Sequence, residues 1–286
     1  MNNPVVLEAR GLTYSYEPGV PVIRDISLSI RAGEVTGILG GNGAGKSTLF
    51  LTLNRILNPD SGEILLKGEP VGTGRQDLIR LRQSVGIVFQ DPGDQLFSAD
   101  VFQDIAFGPL NLGLPEEEVR SRVALAAARA EVEDLLDRPV HQLSFGQKKR
   151  VAIAGVLAMN PEVLILDEPT AGLDPRGVSS LLSTLGELQK KQKMAIVLAT
   201  HDIDLVPLFC DTVYVLDGGQ LVMEGTPEEL LGQPELLRRH SLRLPRISHL
   251  MEVLRKNDHL DTDERCATIS SARKCLKEIM RNHDES

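Results

Sequence analysis

Five short stretches of the chain are dominated by apolar residues at successive rather than alternate positions. They are EVTGILG at 34–40, SVGIVFQ at 84–90, EVLILDE at 162–168, MAIVLAT at 194–200 and TVYVLD at 212–217. Runs of this kind suit strands buried on both faces, as in a mostly parallel sheet covered by helices. VVLEAR near the start predicts a further strand. Amphipathic helical stretches separate these runs, and the alternation places the chain in the α/β class.

The pattern changes twice. Between 92 and 160 no such strand run appears. EEEVRSRVALAAARAEVEDLL at 116–136 and VAIAGVLAM at 151–159 predict helices instead, so about 92–160 reads as a helical subdomain set between two groups of strands. Residues 238–286 change again: RRHSLRLPRISHLMEVLRK and SARKCLKEIMRN predict a helical extension, interrupted by the polar NDHLDTDE. The organisation expected is a domain over 1–237 followed by an extension over 238–286.

At 286 residues with 42% hydrophobic and 25% charged residues, the chain can bury a sizeable core. Its formal charge of −9 and its 3% aromatic content, with no Trp, argue against a nucleic-acid partner. Cys210, Cys266 and Cys275 show no CxxC pairing or metal-ligand spacing and read as structural thiols. No signal peptide is read at the N-terminus, and no window approaches the ~20 consecutive apolar residues of a membrane span.

The chemistry concentrates where apolar runs end. GGNGAGKST at 40–48 fits G-x-x-x-x-G-K-[ST] between a predicted strand and a predicted helix, the context this phosphate loop requires. Gly40, Gly43 and Gly45 let the backbone turn tightly, so that N–H groups through Asn42, Ala44 and their neighbours can surround phosphate oxygens. Lys46 is expected to contact the β- and γ-phosphates, Ser47 to donate an oxygen to Mg²⁺, and Thr48 to support the phosphates.

EVLILDEPT ends a strand in two acids. A parallel strand ends at the ligand edge of an open α/β sheet, so Asp167 is expected to hold Mg²⁺. Glu168 is expected to act as the general base on the attacking water. His201 directly follows MAIVLAT. A lone histidine is commonly structural, but at this strand end it reads as a γ-phosphate sensor. Gln90 ends SVGIVFQ and can reach Mg²⁺ or the lytic water, or simply begin the turn at DPGD. LSFGQ at 143–147 has the form of a capping box, with Ser144 three residues before Gln147.

In this order, Tyr16, the phosphate loop, Gln90, LSFGQ, LILDE at 164–168, AGLD at 171–174 and His201 resemble the ATPase subunits of ATP-binding-cassette transporters over residues 5–230. The resemblance implies a P-loop NTPase core with a mainly parallel sheet, an antiparallel β subdomain, a helical signature subdomain and the C-terminal helical extension. It implies ATP and Mg²⁺ as cofactors. Tyr16 would stack on adenine, with Tyr14 a competing candidate. Gln90 would open the loop that couples to membrane subunits, and Asp174 would communicate between the two sites of a dimer.

In this family two cassettes pack head to tail. Ser144, Gly146 and Gln147 of one chain would complete the phosphate site of the other. Phe145 stands where the common family form has Gly, and is expected to pack at a dimer or subdomain boundary. Lys148, Lys149 and Arg150, beyond the first helical turn, are expected to make interface or solvent contacts.

FQDPGDQLFSADVFQDIAFGPLNLGLP at 89–115 and residues 143–175 are similar to ATPases of energy-coupling-factor importers, most of all the cobalt/nickel type, and LRLPRISHL resembles their C-terminal extension. This implies a homodimer or a heterodimer with a related ATPase, dimerised in part through the extension. It also implies a membrane-embedded coupling subunit, a substrate-binding membrane subunit, and a peripheral place on the cytoplasmic face of the membrane. A vitamin-type importer, another ABC importer, or a soluble ABC ATPase acting on DNA or ribosomes are the alternatives.

Overall fold

The computed structural model describes residues 3–263 and 265–284. The strands along the chain are β1 (Val5–Glu17), β2 (Val20–Arg31), β3 (Val35–Leu39), β4 (Ser61–Leu66), β5 (Glu69–Pro70), β6 (Val85–Val88), β7 (Val163–Asp167), β8 (Ala195–Ala199), β9 (Thr212–Asp217) and β10 (Gln220–Gly225). The α-helices are α1 (Lys46–Leu53), α2 (Arg75–Ser84), α3 (Val101–Asn111), α4 (Glu116–Arg129), α5 (Phe145–Leu157), α6 (Pro175–Gln192), α7 (Val206–Phe209), α8 (Pro227–Leu231), α9 (Pro234–Arg239), α10 (Arg246–Asn257) and α11 (Ile269–Asp284). Among the described residues no helix is long and apolar enough to cross a membrane.

The chain divides into two compact units. One holds the residues up to Val35 together with Ser47–Ala199; the other holds Thr36–Lys46 and the residues from Thr200 onward.

In the first unit β1 pairs antiparallel with β2 (Leu12 opposite Ile26) and with β4 (Ala9 opposite Ile64), and β5 extends the sheet beside β4. Ile26, Leu28 and Ile30 of β2 point inward while the residues between them do not, the period-2 pattern of a sheet buried on one face. β6, β7 and β8 behave differently. They pair in parallel, Val85 opposite Val163 and Val163 opposite Ala195, and every residue in them is buried. The unbroken apolar runs therefore mark strands covered on both faces.

The helical stretch holds α3, α4 and α5, packed against one another. α4 buries Val119, Val123, Ala126 and Ala127, one stripe at helical spacing. It ends at Arg129 rather than running on to 136. Glu131 adopts a left-handed φ of 55°, its carbonyl accepts from Arg150 at 3.1 Å, and Glu133–Leu135 forms a separate 3₁₀ turn.

In the second unit β3 runs parallel to β9, with Ile38 opposite Tyr214, and β10 folds back antiparallel on β9. Its core gathers Leu39, Val213, Val215, Met223, Leu230, Leu231, Leu237 and Leu244. A smaller cluster around Met251, Cys266 and Ala272 joins α10 to α11. Buried Glu252 of α10 accepts from the Arg238 guanidinium of α9 and from Lys256 at 2.7 Å, and these bonds pull its carboxyl down to about 2. All three cysteines are free; burial pushes the Cys210 thiol up to about 12.

Candidate functional site

The unit boundary falls inside GGNGAGKST, with Gly40–Lys46 in the second unit and Ser47 and Thr48 in the first. Gly43 and Gly45 take φ of +76° and +104°, conformations costly to a side-chain-bearing residue, so these glycines are needed for the turn. Gly40 is required for another reason: a Cβ there would collide with the Leu216 carbonyl at the end of β9. The loop is also held by Gly219 N–H donating to Ala44 O at 3.2 Å. Lys46 folds over it, its Nζ donating to the Gly40 and Gly41 carbonyls at 2.8 and 3.1 Å. Gly41, Asn42 and Gly43 are exposed. The result is an exposed backbone cradle with a cation held beside it. His201, exposed, also lies in this unit.

In the first unit the Ser47 hydroxyl donates to Asp167 Oδ2 at 2.5 Å, across 120 residues of sequence. β7 ends at Asp167, and Glu168 then turns to a φ of +46°. For a non-glycine residue that conformation costs about 1–2 kcal/mol. Residues held this way cluster at functional sites, where the surrounding structure fixes them. The Glu168 backbone is held by its N–H donating to Ala199 O at 3.1 Å, and by its carbonyl accepting from Lys149 Nζ at 3.0 Å and from Ala171 N–H at 3.2 Å.

Ser47 and Asp167 offer two hard oxygens side by side, the donor type that Mg²⁺ takes. Among the described residues no set of three or more His, Cys, Asp or Glu converges as a metal cage. Mg²⁺ is commonly held by one or two protein oxygens, with phosphate and water completing the shell, so the residues present fit it.

Tyr16 is 58% exposed; its ring meets Tyr14 edge-on at 5.0 Å, and its hydroxyl shares a hydrogen bond with Thr48 Oγ1 at 3.3 Å. Gln90 is exposed just after β6, and its carbonyl accepts from Lys149 Nζ at 2.8 Å.

The start of α5 is a full capping box. Ser144 Oγ accepts from Gln147 N–H at 3.3 Å, and Gln147 Oε1 accepts from Ser144 N–H at 2.9 Å. Asp174 caps α6 in the same manner, accepting from Gly177 N–H at 2.7 Å. Ser144, Gly146, Gln147 and Asp174 line one open recess of about 550 Å³, with Phe145 and Gly172 in its wall. Phe145 lies so close to Gly172 that a Cβ on that glycine would stand 2.7 Å from the ring. The aromatic in the signature thus packs on the AGLD turn of its own unit.

Sequence reasoning missed Lys149. It was expected at an interface or in solvent, yet it is fully buried, bonded to the carbonyls of Gln90 and Glu168. The signal was positional. Lys149 shares a helix face with Ile153 and Val156, both buried, so a solvent-facing lysine there conflicts with the 3.6 period.

The ABC transporter family profile matches residues 23–171. The chain belongs to the ABC transporter family. Energy-coupling factor transporter ATP-binding protein EcfA3 of Clostridium perfringens is 53% identical over 271 residues, 95% of each chain. The solved structure of cbiO1 from Clostridium perfringens, described as part of the ABC transporter complex cbiONQ, has a TM-score of 0.75 at 54% identity. The match covers 87% of this chain and 100% of that one. A dimeric, post-hydrolysis structure of the ATP-binding cassette MJ0796, bound to ADP and Pi, has a TM-score of 0.70 at 27% identity over 77% and 98% of the two chains. This ABC ATPase is accordingly the ATP-hydrolysing subunit of an energy-coupling-factor transporter, with ATP and Mg²⁺ as its cofactors.

Proposed function

We propose that this subunit powers the import of cobalt or nickel ions. It does so as a homodimer, or a heterodimer with a related ATPase, docked on the cytoplasmic face of a membrane-embedded coupling subunit and a substrate-binding subunit. The observation that carries the chemistry is the Ser47–Asp167 contact at 2.5 Å, directly followed by the left-handed Glu168. Mg²⁺, when bound, would neutralise phosphate charge, with Ser47 and Asp167 holding it and Gln90 as a further oxygen donor. Gly40, Asn42, Gly43, Ala44, Gly45, Lys46 and Thr48 bind the phosphates, and Tyr16 carries the adenine. Glu168 takes the proton of the attacking water, and His201 senses the γ-phosphate. Ser144, Gly146 and Gln147 close the partner's site, and Asp174 links the two sites. Residues 1–237 work as the nucleotide-binding domain, and 238–286 as an extension that supports dimerisation.

The ion assignment is supported by the resemblance of 89–115 and 143–175 to cobalt/nickel-type ATPases and by the likeness to cbiO1 of the cbiONQ complex. The test is to purify the chain from membranes with its partners, identify them by mass spectrometry, and measure ⁵⁷Co²⁺ and ⁶³Ni²⁺ uptake in proteoliposomes. Uptake that depends on ATP and disappears with Glu168→Gln is expected. A co-purifying vitamin-binding subunit with no ion uptake overturns the assignment.

A further inference from the structure

Lys149 has three N–H donors and three partners. Its Nζ donates to Gln90 O at 2.8 Å and to Glu168 O at 3.0 Å, and stands 5.7 Å from the centroid of the Phe145 ring, within cation–π range. The side chain starts from the second turn of α5, whose first turn is fixed by the Ser144–Gln147 capping box. A single fully buried ammonium thus joins three segments: the signature helix, the Gln90 loop and the end of β7.

Packing does not call for a lysine here. An unbranched apolar side chain of the same length fills the same volume without taking a charge out of water. Burial does lower the lysine's pKa, with Asp167, Glu168 and Asp91 acting in the opposite direction. What lysine adds is a bond to the carbonyl of a residue whose own φ is left-handed. The Glu168 backbone is pinned from both sides, by Ala199 O on its N–H and, on its carbonyl, by Lys149 together with the local Ala171 N–H at 3.2 Å. Phe145 then acquires a role: its ring covers the ammonium on the side facing the signature recess.

We propose that Lys149 is a positioning residue for hydrolysis, tying the Glu168 and Gln90 backbones to the signature helix so that the Glu168 carboxylate is set relative to the attacking water. This rests on the reading of Glu168 as the general base. Lys149 acts through Glu168 and Gln90.

The experiment compares full-length wild type, Lys149→Met, Lys149→Gln and Glu168→Gln, measuring kcat and KM for ATP and thermal unfolding. A misplaced base costs on the order of 10²-fold. In Lys149→Met, kcat is expected to fall by about that factor while KM for ATP stays within about threefold. Lys149→Gln keeps two N–H donors without the charge and is expected to recover about tenfold of the loss. The proposal is overturned if Lys149→Met keeps kcat within about threefold of wild type. It is equally overturned if kcat, KM and thermal stability deteriorate together and Gln recovers nothing, the behaviour of a merely structural lysine. Glu168→Gln separates the two levels. Retained turnover in that variant removes the base assignment itself, whereas lost turnover there with an active Lys149→Met removes only the role of Lys149.

Discussion

On the proposed reading Ser144 has two separable duties, and two substitutions separate them. As N-cap of α5 its hydroxyl accepts one backbone N–H, from Gln147, at 3.3 Å. Ser144→Ala removes that acceptor and costs about 1 kcal/mol. For a chain of this size that lowers the unfolding midpoint by about 2–4 °C. Ser144→Asp keeps a strong N-cap and adds a charge that the helix dipole favours, so the midpoint is expected to hold. The same carboxylate would face a γ-phosphate across the dimer. Two like charges about 4 Å apart, at an effective dielectric near 20, repel by about 4 kcal/mol. That corresponds to about 10³-fold in ATP-dependent dimerisation for each site that carries the substitution, far beyond anything the cap energy explains. Light scattering with ATP in a Glu168→Gln background reads dimer formation, and calorimetry reads the midpoint. Ser144→Asp is expected to unfold like wild type and to stay monomeric with ATP. If it dimerises as well as Ser144, the recess lined by LSFGQ does not face phosphate, and the capping box is its whole purpose.

Two further outcomes are expected. Gly172 sits at φ +74° with the Phe145 ring 2.7 Å from where a Cβ would stand, so Gly172→Ala combines left-handed strain with overpacking. The loss is about 2–4 kcal/mol, and Phe145→Leu in the same chain is expected to return part of it in denaturant titrations. Glu252 titrates at about 2 when folded, below its ordinary carboxyl value, so its bonds to Arg238 and Lys256 stabilise the fold above the ordinary value. That contribution is lost as pH falls from about 4.5 toward 2. Glu252→Gln is expected to cost about 1.5–3 kcal/mol at pH 7 and to flatten the acid limb of stability measured by fluorescence or circular dichroism.

Periodicity and motif order alone specify a large part of this protein. The apolar runs located β6, β7, β8 and β9, because strands buried on both faces are built mostly from apolar residues and so announce themselves locally. GGNGAGKST marked a phosphate loop, because only glycines adopt φ of +76° and +104° without strain. Ser144 and Gln147 marked a helix start, because a capping box is a contact between residues three apart. What remained hidden involves residues far apart in sequence. The Ser47–Asp167 bond spans 120 residues, and the Lys149 bond to Gln90 spans 59. The left-handed turn of Glu168 combines a local bond from Ala171 N–H with two long-range ones, to Ala199 and from Lys149, that no local window shows. The sequence by itself determined the strands buried on both faces, the phosphate loop and the kinds of side chain at each strand end. Only the tertiary structure decided that a lysine read as solvent-facing is buried beneath an aromatic signature residue. Burial is set by what packs on a helix face from other segments, and those partners lie outside any local window.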